Sequence, residues 1–108
     1  VQSIAGEKTE FDTWFDALNS MKEQIAKVDF DVAIIGAGAY SLPLAAYVKE
    51  LGKVSVQMSG ATQILFGIKG KRWDNIPAVS KHFNEYWVKP LDEETPKHNN
   101  KVEGGSYW

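Results

Sequence analysis

Small residues with the spacing of a phosphate-binding loop occupy residues 36–41, in Gly36-Ala37-Gly38-Ala39-Tyr40-Ser41. This glycine turn follows a β-branched apolar run and precedes apolar residues at helical spacing. Small residues let a ligand approach the backbone, and a helix N-terminus offers unpaired N–H groups and partial positive charge. We therefore predict that the backbone of the glycine turn binds a phosphate-bearing ligand. A tight strand-to-helix turn that binds no ligand explains the same residues equally well.

The glycine turn lacks two features of dinucleotide-binding loops. Ser41 stands where the third glycine of that fingerprint belongs. The fingerprint also has an acidic residue about 20 positions after the first glycine, which binds a ribose. There is no Asp or Glu between residues 51 and 73. The pattern therefore disfavours NAD and FAD as ligands.

A second group of small and polar residues follows the next predicted strand and consists of Gly60, Thr62 and Gln63. Because the carboxyl ends of neighbouring parallel strands meet at one edge of a sheet, we expect these residues to line the same crevice as the glycine turn. Helix capping is an ordinary alternative role for Thr62 and Gln63.

Three cations and a tryptophan follow shortly after, at Lys69, Lys71, Arg72 and Trp73. Such cations are suited to neutralising a diphosphate, and the indole to stacking on a base or sugar. A solvated basic turn with a packing tryptophan accounts for the same residues and is the simpler interpretation. We predict them as candidate phosphate or sugar contacts.

Other chemistry-bearing residues form no complete catalytic set. Asp29-x-Asp31 lies at the amino end of its predicted strand, opposite the expected crevice, and neither His82 nor His98 has a partner at metal-ligand spacing. We therefore assign no metal ligands within this chain. Glu103, next to Gly104-Gly105, is a candidate acidic site residue.

Apolar periodicity predicts the helices and strands around these residues. Steps of three and four predict a helix over residues 10–27, with Thr9 as its N-cap. Residues 30–35 and 54–58 predict parallel strands joined by a helix that Ser41 caps and Gly52 ends, which makes a βαβ unit. Further helices are predicted over residues 61–68 and 76–88, with a loop at residues 71–74. Residues 1–4 predict another strand.

These elements predict a small α/β domain, Rossmann-like and three-layered, with a short parallel sheet. We expect residues 1–90 to form this partial domain and residues 91–108 to form an irregular tail whose aromatic end docks back on it. Because the predicted first strand begins at residue 1, we expect the 108-residue chain to be part of a larger domain.

Composition limits the classes of function. The chain is 44 % hydrophobic and 24 % charged, which is ordinary for a globular protein. A net charge of −2 makes nucleic acid an unexpected partner. There is no cysteine, so no thiolate metal site or disulfide forms, and a reducing, cytoplasmic location fits. No apolar run reaches the roughly 20 residues of a membrane span, so we expect no membrane partner.

Four segments carry a resemblance to a known group: residues 34–45 (IIGAGAYSLPLA), 51–53 (LGK), 60–63 (GATQ) and 102–108 (VEGGSYW). The chain resembles the carboxyl half of bacterial proteins with a GT-D-like glycosyltransferase domain. The resemblance implies a Rossmann-like fold and sugar transfer from a nucleotide diphosphate sugar. It also implies a divalent metal, held by an acidic motif upstream of this chain. By position, the glycine turn and residues 60–63 would contact the donor.

Two hypotheses follow. In the first, the chain is part of a glycosyltransferase-like protein that binds a nucleotide diphosphate sugar at the glycine turn and is inactive on its own. In the second, it is a non-catalytic Rossmann-like assembly module, because a partial α/β domain leaves sheet edges and apolar faces unpaired. The second hypothesis predicts a homodimer.

Overall fold

A computed structural model of the chain describes residues 9–108, and the strand predicted at residues 1–4 lies outside this range. The described residues form a mixed α/β fold that contains a two-stranded parallel sheet. The helices and strands are α1 (Trp14–Ala26), β1 (Val32–Ile35), α2 (Ser41–Glu50), β2 (Val54–Gln57), α3 (Thr62–Leu65), α4 (Lys71–Asp74) and α5 (Pro77–Ser80). Short 3-10 turns lie at Gly38–Tyr40, Ser59–Ala61, Asp92–Glu94, Asn99–Lys101 and Glu103–Gly105.

Helix α1 begins later than predicted, because Thr13 and not Thr9 is its N-cap. The Thr13 hydroxyl accepts the Asp16 amide at 3.2 Å, and the Asp16 carboxylate accepts the Thr13 amide at 2.9 Å. This reciprocal pair is a capping box, which satisfies two backbone donors at once. Thr9 instead accepts the amide of Phe11 through its hydroxyl, in a separate turn before the helix.

The predicted βαβ unit is confirmed, although its strands are shorter than expected. Strand β1 pairs with β2 in parallel, with Val32 opposite Val54 and Ile35 opposite Gln57. Helix α2 begins at Ser41 with Tyr40 as the N-cap, so the prediction that Ser41 caps the helix is wrong. Gly52 follows the last turn with a φ of +75°, as a residue that ends a helix in the left-handed region does.

The core lies between the helices α1 and α2 and one face of the sheet. Its buried members are Ala17, Leu18, Ile35, Tyr40, Leu44 and Val48. The opposite face of the sheet carries Val32, Ile34, Val54 and Val56, which are 53, 50, 57 and 43 % exposed. The three-layered arrangement expected from the sequence would cover both faces, whereas these four side chains are about half exposed. Within residues 9–62, helices α1 and α2 cover one face of the sheet, and the three-layered arrangement stays a prediction.

Contacts divide the described chain after Thr62 into unit 1, residues 9–62, and unit 2, residues 63–108. The domain boundary predicted near residue 90 stays a prediction. In unit 2 the helix predicted over residues 76–88 is reduced to Pro77–Ser80, and the loop predicted at 71–74 is the single helical turn α4. The chain end docks within unit 2, since the amides of Lys71 and Arg72 donate to the carbonyls of Trp108 and Ser106.

None of the helices within residues 9–108 combines the length and the apolar composition that crossing a membrane requires.

Candidate functional site

The glycine turn leaves β1 at its carboxyl end and reaches α2 through a 3-10 turn. Gly38 has a φ of +52°, a conformation that side-chain-bearing residues rarely adopt. The Tyr40 amide donates to the Ala37 carbonyl at 3.0 Å, and the Ala37 amide donates to the Ser41 hydroxyl at 2.8 Å. The fully buried Ser41 side chain therefore closes the turn from inside.

Gly36 joins the glycine turn to the segment after β2. A Cβ atom at Gly36 would lie 2.8 Å from the Ser59 carbonyl oxygen and 2.7 Å from the Thr62 Cβ, with the Thr62 hydroxyl also in contact. The Met58 amide donates to the Ile35 carbonyl at 3.0 Å and extends the pairing of the two strand ends. The structure thus brings the glycine turn and residues 59–62 together, as the sequence predicts for the two strand ends.

The Thr62 hydroxyl oxygen is buried and has no hydrogen-bond partner within residues 9–108. A buried hydroxyl without a partner loses the hydrogen bonds that water would give it. Its position against Gly36 means that it supports the turn by packing. Gly60 lies in the Ser59–Ala61 turn beside it and is half-buried.

Three amides of the glycine turn remain available to a ligand. Within residues 9–108, the amides of Gly36, Gly38 and Ala39 donate to no backbone or side-chain acceptor. All three residues are exposed, and nothing lies within 4 Å of where a Gly38 Cβ would be. Amides at the start of a helix attract anions through their N–H groups and the helix dipole. The turn therefore presents an open surface of donors next to its packed side.

The Tyr40 side chain, which the sequence predicts at the ligand, lies in the core. Its ring is buried and stacks on Trp14, with centroids 4.9 Å apart and planes 8° from parallel. This contact fastens α1 to the start of α2. A ligand at the turn would meet the backbone of residues 36–39 before it met this ring.

In unit 2, Arg72 lies in a cluster that the sequence did not predict as a whole. Its guanidinium lies 5.2 Å from the Trp73 ring centroid and 4.9 Å from the Tyr107 ring centroid. Arg72 Nη2 is 3.1 Å from Glu103 Oε2, and the Tyr107 hydroxyl donates to Glu103 Oε1 at 3.0 Å. Arg72 is thus engaged with one carboxylate and two aromatic rings of its own chain.

Gln63 connects the same segments of unit 2 through its side chain. Its Nε2 donates to the Tyr107 carbonyl at 2.9 Å, and its Oε1 accepts from Trp73 Nε1 at 3.4 Å. Gly70 fits closely between them, since a Cβ atom there would lie 3.0 Å from Gln63 Oε1 and from the Ser106 and Tyr107 carbonyl oxygens. These contacts account for Gln63 and Trp73 by packing.

The remaining predicted cations differ in their surroundings. Lys69 Nζ lies 5.4 Å above the Phe83 ring, whereas Lys71 is exposed and lines an open cavity of unit 2. The side chains of the predicted basic cluster therefore make different contacts in the structure. The contact between Tyr107 and Arg72 was not predicted from the sequence. The sequence signal for it is the spacing of four residues between Glu103 and Tyr107.

No group of three or more His, Asp or Glu side chains within residues 9–108 comes together in a way that would hold a metal ion. Comparisons of the chain with models of known protein families, with curated proteins and with solved structures find no match. Function is therefore inferred from the residues and their geometry.

Proposed function

We propose that the glycine turn binds the diphosphate of a nucleotide sugar and that the chain is part of a glycosyltransferase-like protein. The observation that carries the proposal is that the backbone amides of three exposed residues, Gly36, Gly38 and Ala39, have no acceptor within residues 9–108. They lie at the carboxyl end of a parallel strand, where ligands bind in α/β folds. The sugar nucleotide is the donor that the sequence resemblance implies.

The expected chemistry is positioning and charge neutralisation. Backbone amides at the helix start would bind phosphate oxygens, and the divalent metal that the resemblance implies would be held by residues outside this chain. Such a site accelerates transfer by holding the donor in place and by stabilising the developing charge on the leaving diphosphate. No covalent nucleophile is assigned.

Isothermal titration with UDP, with and without Mn²⁺, tests the proposal. Ala39→Glu places a negative side chain beside the free amides, and we expect it to weaken UDP binding about tenfold or more, which is about 1.4 kcal/mol. Ala46→Glu is the matched control, because Ala46 is also exposed but lies in the body of α2. Absence of UDP binding, or equal losses in the two variants, would contradict the proposal.

A second candidate function is assembly, supported by the exposed sheet face. Ile34 and Val56 lie opposite each other at its centre and are 50 and 43 % exposed. Parallel sheets are normally covered on both faces, so an apolar face of this kind favours association. We propose that a second copy of the chain covers it, giving a homodimer.

Light scattering at several protein concentrations tests this candidate. We expect a concentration-dependent dimer that Ile34→Lys converts to monomer, because the ammonium group would be desolvated at the contact. Leu42→Lys makes the same chemical change at an exposed position of α2, and that variant should still dimerise. A monomer at all concentrations would remove the assembly proposal and leave the nucleotide proposal standing.

A further inference from the structure

Unit 2 contains an open cavity of about 430 Å³ that is built from its own residues. This volume lies within the roughly 300–1,000 Å³ of typical small-molecule sites. The cavity is formed where the chain end meets α4 and the segment after Pro90. Its polar and aromatic lining includes Lys71, Lys89, Asp92, Asn99, Asn100 and Trp108.

The lining of this cavity has two cationic side chains and one anionic side chain. Lys71 and Lys89 line it together with a single acidic residue, Asp92. Within residues 9–108, neither ammonium group has a carboxylate within ion-pairing distance. Arg72, the neighbour of Lys71 in sequence, is by contrast paired with Glu103. The two lysines are therefore free to bind an anionic group.

The two asparagine side chains of the cavity also lack hydrogen-bond partners within residues 9–108. No side-chain hydrogen bond is made by Asn99 or Asn100 within residues 9–108. Each carboxamide offers two donors and an acceptor, and the Asp92 carboxylate accepts hydroxyl protons. The half-buried Trp108 adds an aromatic surface to the lining. Donors, acceptors and an apolar ring in one cavity suit a molecule with several hydroxyl groups on a compact carbon frame.

We propose that this cavity binds a small polyhydroxylated anion, that is, a sugar bearing a phosphate or a carboxylate. Lys71 and Lys89 bind the anionic group through charge-assisted hydrogen bonds. Asn99, Asn100 and Asp92 bind the hydroxyl groups. This site is independent of the nucleotide site proposed for the glycine turn, because each uses residues of a different unit.

Isothermal titration with glucose 6-phosphate and with glucuronate tests the site and distinguishes the two anionic groups. Binding of either anionic sugar supports the proposal. The sugar that binds more tightly shows whether the cavity prefers a phosphate or a carboxylate. Lys71→Gln/Lys89→Gln should weaken that binding at least tenfold. Lys81→Gln/Lys101→Gln is the matched control, because it removes the same charge from exposed lysines outside the cavity lining and should change the affinity less than twofold.

Several outcomes would overturn the proposal. If glucose binds as tightly as glucose 6-phosphate and glucuronate, the ligand does not need an anionic group. If inorganic phosphate binds as tightly as glucose 6-phosphate, the ligand does not need the sugar. Equal losses in the two double variants would indicate unspecific charge attraction. Loss with Ala39→Glu but not with the Lys71 and Lys89 variant would assign the binding to the glycine turn. If neither glucose 6-phosphate nor glucuronate binds, the proposal is also overturned.

Discussion

At the scale of single residues, Gly36 has the closest contacts at its Cβ position among the glycines of residues 9–108. Its missing side chain leaves room for the Thr62 hydroxyl and the Ser59 carbonyl, and a Cβ atom would come within 2.8 Å of the latter. We expect Gly36→Ala to lower the free energy of unfolding by about 1–3 kcal/mol, because the segment after β2 must move to admit a methyl group. Urea denaturation followed by circular dichroism measures this loss.

Gly52→Ala serves as the control for a glycine without steric contacts. Gly52 has a φ of +75° but nothing lies within 4 Å of its Cβ position. The substitution should cost roughly 1–2 kcal/mol from the left-handed conformation alone and should leave ligand binding at the glycine turn unchanged. Gly36→Ala should differ by also weakening UDP binding, since it displaces the turn itself. Unchanged binding in both variants would count against Gly36 as part of the site.

The glycine turn could be predicted from the sequence, but its side-chain arrangement could not. A β-branched run followed by small residues and a helical pattern is a local signal, and it locates the turn correctly. The contact between Gly36 and Thr62 joins residues far apart in the chain, and no local pattern encodes it. Likewise, Ser41 was expected to cap α2, but burial directs its hydroxyl to the Ala37 amide inside the turn.

At the scale of elements, the start of α1 depends on a choice between two similar signals. Thr9 and Thr13 are each followed three residues later by an aspartate, at Asp12 and Asp16. The structure uses Thr13, whose amide and hydroxyl both engage the Asp16 carboxylate. Sequence alone does not separate two caps one helical turn apart, because both fit the same apolar stripe.

We predict that Thr13→Ala costs about 0.5–2 kcal/mol of stability, because the Asp16 amide loses its acceptor and the Asp16 carboxylate loses the Thr13 hydroxyl donor. Thr13→Ser keeps the hydroxyl and should retain most of that stability. Thr9→Ala lies before the helix and should leave its helical content unchanged, although it loses the bond to Phe11. Thermal unfolding with far-ultraviolet circular dichroism separates the three variants. A larger loss of helix from Thr9→Ala than from Thr13→Ala would indicate that Thr9, and not Thr13, caps α1.

The elements of unit 1 and unit 2 differ in how far the sequence predicts them. The βαβ unit could be predicted because the apolar runs on either side of the glycine turn are long enough to show strand and helix patterns. In unit 2, the helices Lys71–Asp74 and Pro77–Ser80 span four residues each, which is too short to show a helical period. Helices this short form only where tertiary contacts hold them, so no local signal predicts their bounds.

At the scale of the whole molecule, the two units are stabilised by different interactions. The buried apolar cluster lies entirely in unit 1, between Ala17 and Val48. Unit 2 is held by backbone hydrogen bonds, by the parallel bridge between Ile68 and Val88 and by the contacts of Arg72 with Glu103 and Tyr107. Partly exposed polar contacts of this kind contribute less stability than a buried apolar core. Unit 2 should therefore open at lower free energy than the core of unit 1.

Hydrogen exchange resolved by mass spectrometry checks this difference. Amides of α2 should exchange slowest, because Leu44 and Val48 are buried in the core, and peptides from residues 63–108 should exchange faster. Arg72→Gln removes the charge that pairs with Glu103 and the planar group between two rings, so exchange should rise further in residues 103–108 and stay unchanged in α2. Lys81→Gln, which removes an exposed charge of the same unit, should have neither effect. Uniform protection across both units would mean that they unfold together. The contacts of Arg72 with Glu103 and Tyr107 would then not stabilise unit 2 separately.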